Sequence, residues 1–453
     1  MTKQTITVLG AGYVGLTTAV LLSHANFKVY LIEPNPERLK TIASGKSFFY
    51  EYGLDPLLKL SIDEKTIIVT DSYQEAIPES DIVFSCVGTP DNPDGSSNLQ
   101  YVFSAAKETI KYAKTGLVYA QKSTVPVGTG QQIETLFAEA TQEKTLHYVS
   151  NPEFLREGTA ISDTLFFDRV VAGGADKNAV DAILNTYKDL EQRREHIAHT
   201  SRIPIAPKND QYIATSLNSA ELIKVTSNAF LALKISFANS IAMLADKASA
   251  DIVEVMDAVG ADHRIGRAFL NAGRGYGGGC FPKDVSGLIA SALDYGIDLN
   301  IMEAAQEQNR IMPGYIVDRV KRALGDTLEG KKVAVLGLAF KAGTSDVRKS
   351  PGVAIANKLH EAGALVTTYD PEATEETAID LYRGIHSADS IQNAVKDSTA
   401  VILATEWPEL LDFPADQYAK LMHGTVFFDA INQYNAFDIT KHSLCYIGVG
   451  HQA

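Results

Sequence analysis

Cysteine is scarce in this chain, with Cys86, Cys280 and Cys445 the only thiols in 453 residues. So small and odd a number excludes a disulfide framework and points to a reducing compartment, so a cytoplasmic location is expected. Cations are also short. Lys and Arg total 41 against 55 Asp and Glu, a net charge of −14. That balance excludes a general nucleic-acid binder, though not an anionic small molecule held by local cations or helix N-termini. No uninterrupted apolar run is long enough to cross a bilayer, and the opening MTKQTITVLGAG enters a strand pattern at once, leaving no room for a signal peptide. No membrane partner and no metal are expected. What is present is 45% hydrophobic residues in a chain too long for one core, which predicts two or three domains.

One stretch stands out, GYGGGCFPKD from Gly275 to Asp284. Four glycines in five residues exclude regular helix or strand and leave a backbone that another segment or a ligand can approach closely. Cys280 follows, at the mouth of an apolar helical pattern and near Lys283. A helix N-terminus and a nearby cation favour the thiolate. A Gly-rich turn with an inert buried cysteine explains the stretch equally well on its own.

The chain begins with a β-branched run, Thr5 to Leu9, then GAGYVG (Gly10, Gly12, Tyr13, Val14, Gly15) and an amphipathic helix. G-x-G-x-x-G between strand and helix is a dinucleotide fingerprint: a tight turn, close approach to a pyrophosphate, and close helix packing. A second strand ends at Glu33, an acid suited to the ribose diol of NAD and repelling the 2′-phosphate of NADP. Arg38 keeps NADP as a lesser alternative. Further buried strands lead into Gly88-Thr89-Pro90 and Ser123-Thr124-Val125-Pro126, at the strand ends where ligands sit in open α/β sheets. In NPEFLREGTA, Glu153 and Glu157 would share a face if helical. Residues 189–214 read as an irregular inserted loop. A long helix without Pro or Gly follows, from Thr215 to about Ala248, apolar on several faces and expected between domains or subunits. Lys224 and Asn228 lie one turn apart on it, a poor choice for packing and a good one for a polar site. From Lys331 the strand–helix alternation restarts. The fold class is therefore α/β: two Rossmann-like doubly wound domains, 1–214 and 326–453, joined by a long central helix and a helical linker domain, 215–325, that carries the cysteine loop.

Together with FYEYGL, VGTP, STVPVG, ELIKVTSNAFLALKISFAN, GLAFKAGTSDVR, YDP and ATEW, these motifs resemble, in order and over nearly the whole length, the UDP-glucose/GDP-mannose dehydrogenase family. The resemblance implies two successive oxidations of a nucleotide-sugar at C6 with NAD, primary alcohol to carboxylate, in a homodimer or larger homo-oligomer. It implies Cys280 as the nucleophile that holds the aldehyde, and Lys224 and Asn228 as oxyanion stabilisers. Asp284 would pair with Lys224, and Glu157 would serve thioester hydrolysis with Glu153 in support. Thr124 would anchor water and nicotinamide. Lys283, Phe340, Lys341 and the loop Asn271, Tyr276, Gly277, with Glu153, Phe154 and Leu155, fall where the nucleotide-sugar is held. Thr89, Pro90, Glu157, Lys283 and Arg348 fall on the NAD side. Arg264 would cross a dimer interface. FPKD after the cysteine follows the UDP-glucose branch rather than the N-acetylhexosamine one, whereas Ile431 stands where an arginine is usual. GDP-mannose or a UDP-N-acetylhexosamine remains an alternative substrate. A non-turnover sensor on the same scaffold, or a single-oxidation hydroxyacid dehydrogenase, would need no thiol at position 280.

Overall fold

A computed structural model describes residues 4–140, 145–207, 209–373 and 380–451. The chain forms two compact units, Met1–Ser227 and Asn228–Ala453.

The first unit is built on an eight-stranded sheet: β1 (Thr5–Leu9), β2 (Lys28–Ile32), β3 (Ile67–Thr70), β4 (Ile82–Ser85), β5 (Leu117–Gln121), β6 (Leu146–Ser150), β7 (Arg169–Gly173) and β8 (Gln211–Thr215). Their order is β3-β2-β1-β4-β5-β6-β7-β8, with only the β6–β7 pair antiparallel. The central strands β1, β2, β4 and β5 are short, largely apolar runs buried on both faces, as parallel strands covered by helices require. One hydrophobic cluster, from Ile6 to Ala198, fills one face, and a second around Leu9, Tyr119 and Phe137 fills the other. The strand order reverses between β1 and β4, the switch point where such sheets take ligands. Leu9 lies opposite Ile32 on one side and Ser85 on the other. The turns at Gly10, Glu33 and Gly88 therefore leave the sheet at one edge.

The second unit repeats the plan with a parallel six-stranded sheet: β9 (Lys332–Leu336), β10 (Leu365–Tyr369), β11 (His386–Ser387), β12 (Ala400–Leu403), β13 (Val426–Asp429) and β14 (Cys445–Gly448). The order β11-β10-β9-β12-β13-β14 matches the first six strands of the other sheet. The two sheets also share an acid at the end of the second strand. Glu33 accepts the Ala11 amide with Oε2 at 3.1 Å. Asp370 accepts the Leu338 and Ala339 amides with Oδ2 at 2.7 and 2.9 Å.

Between the sheets in sequence runs the helix Leu217–Ala248, within which the division between units falls. Contrary to the expectation from sequence, it is apolar and long enough to cross a bilayer by length and composition. Its apolarity has another use here. Ala220, Ala229, Ala232, Ala238, Ala242 and Ala245 are buried, small side chains that let neighbours pack close to the helix. Glu221, Lys224, Ser236 and Asn239 are buried on it too. Leu222, Phe230, Phe237 and Leu244, seven or eight residues apart, form an exposed stripe on one face.

Residues 189–214 are irregular only in part, at 203–207 and 209–210. They continue the helix Lys177–Glu191, form a further helix Arg194–Ser201 and enter the edge strand β8. The polarity that suggested a loop has two sources. Arg194 is buried but paired with Asp210 at 2.7 Å, and β8 is an edge strand exposed at Gln211 and Ala214.

Candidate active site

The cofactor cradle begins at Gly10. A Cβ on Gly15 would stand 1.8 Å from the Gly10 carbonyl oxygen, so that glycine is required by packing of helix Tyr13–His24 against the turn. A Cβ on Gly12 would meet nothing within 4 Å, and the same holds at Gly88, across the switch point on the turn after β4. Open space beside two bare backbones at the switch point is what a dinucleotide pyrophosphate needs, so the residues present fit NAD. Glu33 is buried, and its second oxygen accepts the Asn35 amide at 2.9 Å, which fixes the carboxylate at the cradle. Tyr13 packs on Phe49 at 4.0 Å between ring centroids, Val14 is half-buried and Thr89 is buried. Pro90 accepts the Asn98 amide at 2.8 Å. Arg38 lies over the Phe48 ring at 4.6 Å.

The sugar-side residues of the first unit gather around Lys224. This lysine is 3% exposed, its Nζ 3.5 Å from Glu153 Oε1 and 5.3 Å from the centre of the Phe154 ring. Glu153 Oε2 accepts the Leu155 amide at 2.6 Å. Removing one partner of such a buried pair strands the other charge, at a cost of about 3–5 kcal/mol. The segment 151–156 is irregular, so Glu153 and Glu157 do not share a helical face as expected. The backbone there is committed to holding Glu153 against Lys224 instead. A second buried cation lies close in sequence to Thr124: Lys122 donates to the Tyr187 hydroxyl at 2.7 Å, which donates to Asn151 Oδ1 at 2.8 Å. Thr124 itself is half-buried and Glu157 is buried.

Two carboxylates that sequence reasoning gave no role hold these segments in place. Glu51 accepts the Gly158 and Ala160 amides at 2.7 and 2.8 Å, next to Glu157. Glu221 accepts the Gly128 and Gly130 amides, both at 2.8 Å, just beyond Thr124. Burial pushes the Glu221 carboxyl up to about 7, with the two amides pulling the other way. The spacing of Glu221 three residues before Lys224, with a glycine pair after STVPV, was the available signal. Glu51 sat in plain view within FYEYGL.

In the second unit the glycine run is explained by close approach of other segments. A Cβ at Gly277 would stand 2.4 Å from the Lys349 carbonyl, one at Gly278 2.9 Å from the Phe340 ring, and one at Gly279 2.5 Å from the Arg348 guanidinium. Phe340 and Arg348 are thereby seated directly on the residues leading to Cys280. Arg348 is oriented by Asp346, with Nη2 2.6 Å from Oδ2. Lys341 Nζ lies 5.8 Å from the Phe340 ring centre. Arg274, which the sequence did not single out, is buried and donates to the Phe340 carbonyl at 2.8 Å. Tyr276 is tied through its amide and carbonyl to Asn309, at 2.8 and 3.0 Å.

Cys280 is exposed at the N-terminus of helix Phe281–Asp294, and its carbonyl accepts the Asp284 amide at 2.9 Å. Cys86 is its chemical opposite, since burial pushes that thiol up to about 12 and leaves it inert. Asp284 is buried, accepting from Asn228 Nδ2 at 2.6 Å and from Lys283 Nζ at 2.7 Å. Both Asp284 oxygens are engaged by Asn228 and the adjacent Lys283, and the carboxylate on Lys224 is Glu153. Asn271 accepts from Arg267 at 2.6 Å, and Arg264 is exposed and held by Asp262. Ile431 is buried in the turn that Asp429 organises by accepting the Ile431, Gln433 and Tyr434 amides.

Comparison with known proteins agrees with this arrangement. Residues 4–191 match the NAD binding domain of the UDP-glucose/GDP-mannose dehydrogenase family, 218–311 its central domain and 334–436 its UDP binding domain. A UDP-glucose 6-dehydrogenase of Bacillus subtilis is 37% identical over 99% of this chain and 98% of its own. One from Rhizobium meliloti is 36% identical over 98% and 99%. The solved structure of a UDP-glucose dehydrogenase from Pyrobaculum islandicum superposes with a TM-score of 0.88 at 35% identity, covering 99% of this chain and 98% of its own. A fully matched fold, an NAD cradle and a solvent-facing thiol at the glycine run lead to one conclusion: the chain belongs to the UDP-glucose/GDP-mannose dehydrogenase family.

Proposed function

We propose that the chain oxidises UDP-glucose at C6 to UDP-glucuronate, by the balance UDP-glucose + 2 NAD⁺ + H₂O → UDP-glucuronate + 2 NADH + 3 H⁺. The observation that carries the reading is an exposed Cys280 at a helix N-terminus, beside the buried Asn228–Asp284 pair and its half-buried partner Lys283. The curated relatives that match nearly the full chain are named for the same activity. When bound, NAD would accept one hydride in each of the two oxidations; the Gly10–Gly15 cradle, Glu33 and Thr89 would hold it, and the family resemblance gives Arg348 a role toward it.

The chain's own groups supply the rest. Loss of a hydride and the hydroxyl proton turns the C6 alcohol into an aldehyde. The Cys280 thiolate adds to that carbonyl carbon, giving a thiohemiacetal whose oxygen carries the developing charge. Lys224 and Asn228 would stabilise that charge, a role worth about 2.7–4 kcal/mol for a single oxyanion donor. Loss of the second hydride with the remaining hydroxyl proton gives a Cys280 thioester. Water, activated by Glu157 and anchored by Thr124, adds to the acyl carbon. The carbon–sulfur bond breaks, releasing the acid and returning the thiol. Glu153 supports Lys224 as the cation of the oxyanion site. A single-oxidation enzyme or a sensor has no use for this thiol.

The exposed stripe Leu222, Phe230, Phe237, Leu244 supports a homodimer built on the 215–325 segment, in which the exposed Arg264 would exchange its Asp262 partner for a group of the other subunit. The cysteine content supports a cytoplasmic location. The deciding experiment offers UDP-glucose, UDP-N-acetylhexosamines and GDP-mannose in turn and counts NADH per sugar consumed. Two NADH with UDP-glucose, at a kcat/KM well above the others, is expected. A higher kcat/KM on GDP-mannose or an N-acetylated sugar would reassign the substrate, and one NADH per sugar would reassign the reaction.

A further inference from the structure

FYEYGL is a motif the reaction above leaves without a task. Its Glu51 is 6% exposed, a costly place for a carboxylate with no apolar surface to fill. Both oxygens are committed at long range in sequence. Oε2 accepts the amide of Gly158 at 2.7 Å, and Oε1 that of Ala160 at 2.8 Å. Gly158 immediately follows Glu157 and has a φ of +81°, a left-handed conformation that glycine adopts cheaply. Ala160 opens the helix Ala160–Leu165, and Asp163 on that helix accepts the Arg156 amide at 2.8 Å, on the other side of Glu157 in sequence. The chain is therefore fastened on both sides of Glu157, at the Arg156 amide by Asp163 and at the Gly158 amide by Glu51. Each of the two carboxylate oxygens of Glu51 holds one of the two amides.

We propose that Glu51 is a positioning residue for the reaction: its carboxylate sets the place of Glu157 through the Gly158 and Ala160 amides, and so governs water addition to the Cys280 thioester rather than either oxidation. The proposal rests on the reading of Glu157 as the base of that step. Water adds to the acyl carbon as the carbon–sulfur bond breaks, giving a carboxylic acid and the free Cys280 thiol. Glu157 takes the water proton and passes it to the departing sulfur.

The test is Glu51→Gln, which keeps the shape but turns an NH₂ toward one of the two amides. With NAD and UDP-glucose, kcat should fall about tenfold or more while KM for the sugar changes little, since general-base contributions run to about 10²–10⁴. Pre-steady-state traces should show a burst of two NADH per site followed by a slow phase, and intact mass should show the sugar acyl adduct on Cys280. Glu51→Asp, which retains both acceptors at shorter reach, should recover part of the rate. A kcat within twofold of wild type with no adduct would overturn the proposal. Glu157→Gln is run alongside. An adduct there but not in Glu51→Gln also overturns the proposal, while an adduct in neither points to failure of the Glu157 reading. Should Glu51→Gln not fold by thermal melting, exchange of the Gly158 and Ala160 amides in the wild type decides. Protection supports the proposal, and exchange at the rate of an unstructured loop refutes it.

Discussion

The glycines of GAGYVG should answer differently to the same added methyl, and the contrast tests the cofactor cradle. At Gly12, φ is −65° and ψ −172°, which alanine adopts without strain, and a Cβ there meets nothing within 4 Å. Gly→Ala at a compatible position stabilises by about 0.4–1 kcal/mol through the unfolded chain. Gly12 is also a helix N-cap, where alanine is poorer than glycine by an amount of the same order, about 0.5–1 kcal/mol. The two terms oppose, so Gly12→Ala should shift Tm by no more than about 2–4 °C in either direction. The open space is where the pyrophosphate must come, so NAD affinity should drop steeply, by about tenfold or more. Gly15→Ala is the reverse case: a Cβ 1.8 Å from the Gly10 carbonyl forces the helix off the turn, with an overpacking cost of about 1–3 kcal/mol or more. That variant should lose several degrees of Tm or fail to express. Thermal melting and NAD titration by fluorescence give both numbers. NAD affinity within twofold of wild type in a well-folded Gly12→Ala would refute the placement of the cofactor. A large loss of Tm in that variant would refute the reading of the space.

Other outcomes follow from the same geometry. NAD should be preferred over NADP, and Glu33→Ala should narrow that preference while weakening NAD as well, because the carboxylate also holds the Ala11 amide; equal turnover by the wild type with both cofactors would contradict this. Burial lifts the Glu221 carboxyl to about 7 from 4.5, with Glu134 adding to the rise and the buried Tyr148 hydroxyl beside it un-ionised. Between those values the folded chain holds a proton that the unfolded chain has released, so this contribution to stability is present in acid and is lost as pH rises to about 7. Glu221→Gln should remove that component of the Tm-versus-pH curve, and an unchanged curve counts against it. Replacing Phe237 or Leu244 with Glu should dissociate the proposed dimer in analytical ultracentrifugation; a wild-type monomer at micromolar concentration would refute the proposed interface.

Strands β1 to β5 of the first sheet and β9, β10, β12 and β13 of the second were legible in the sequence as short apolar, mostly β-branched runs alternating with helical patterns, whereas β6, β7, β8, β11 and β14 were not. The long helix was legible from an unbroken stretch without Pro or Gly. Tertiary commitments were not. Nothing in the one-dimensional pattern says that Lys224 faces Glu153, 71 positions away by number, or that Asp284 spends its oxygens on Asn228 and Lys283. The same holds for Glu51 and Glu221, whose amide partners lie 107 and 93 residues distant. In residues 189–214 polarity hid a helix and a strand: Arg194 is buried by pairing with Asp210, and β8 is partly exposed because it is an edge. The glycine run, in turn, was legible as a place of close approach, but only the structure shows Phe340, Arg348 and Lys349 filling it.

The account stands or falls on the thiol. The direct measurement is NADH formed per UDP-glucose at limiting sugar, for wild type and for Cys280→Ala at matched concentration. Two NADH per sugar are expected from the wild type, and Cys280→Ala should lose the second oxidation. Two NADH per sugar from Cys280→Ala at the wild-type rate would make the thiol structural and contradict the mechanism.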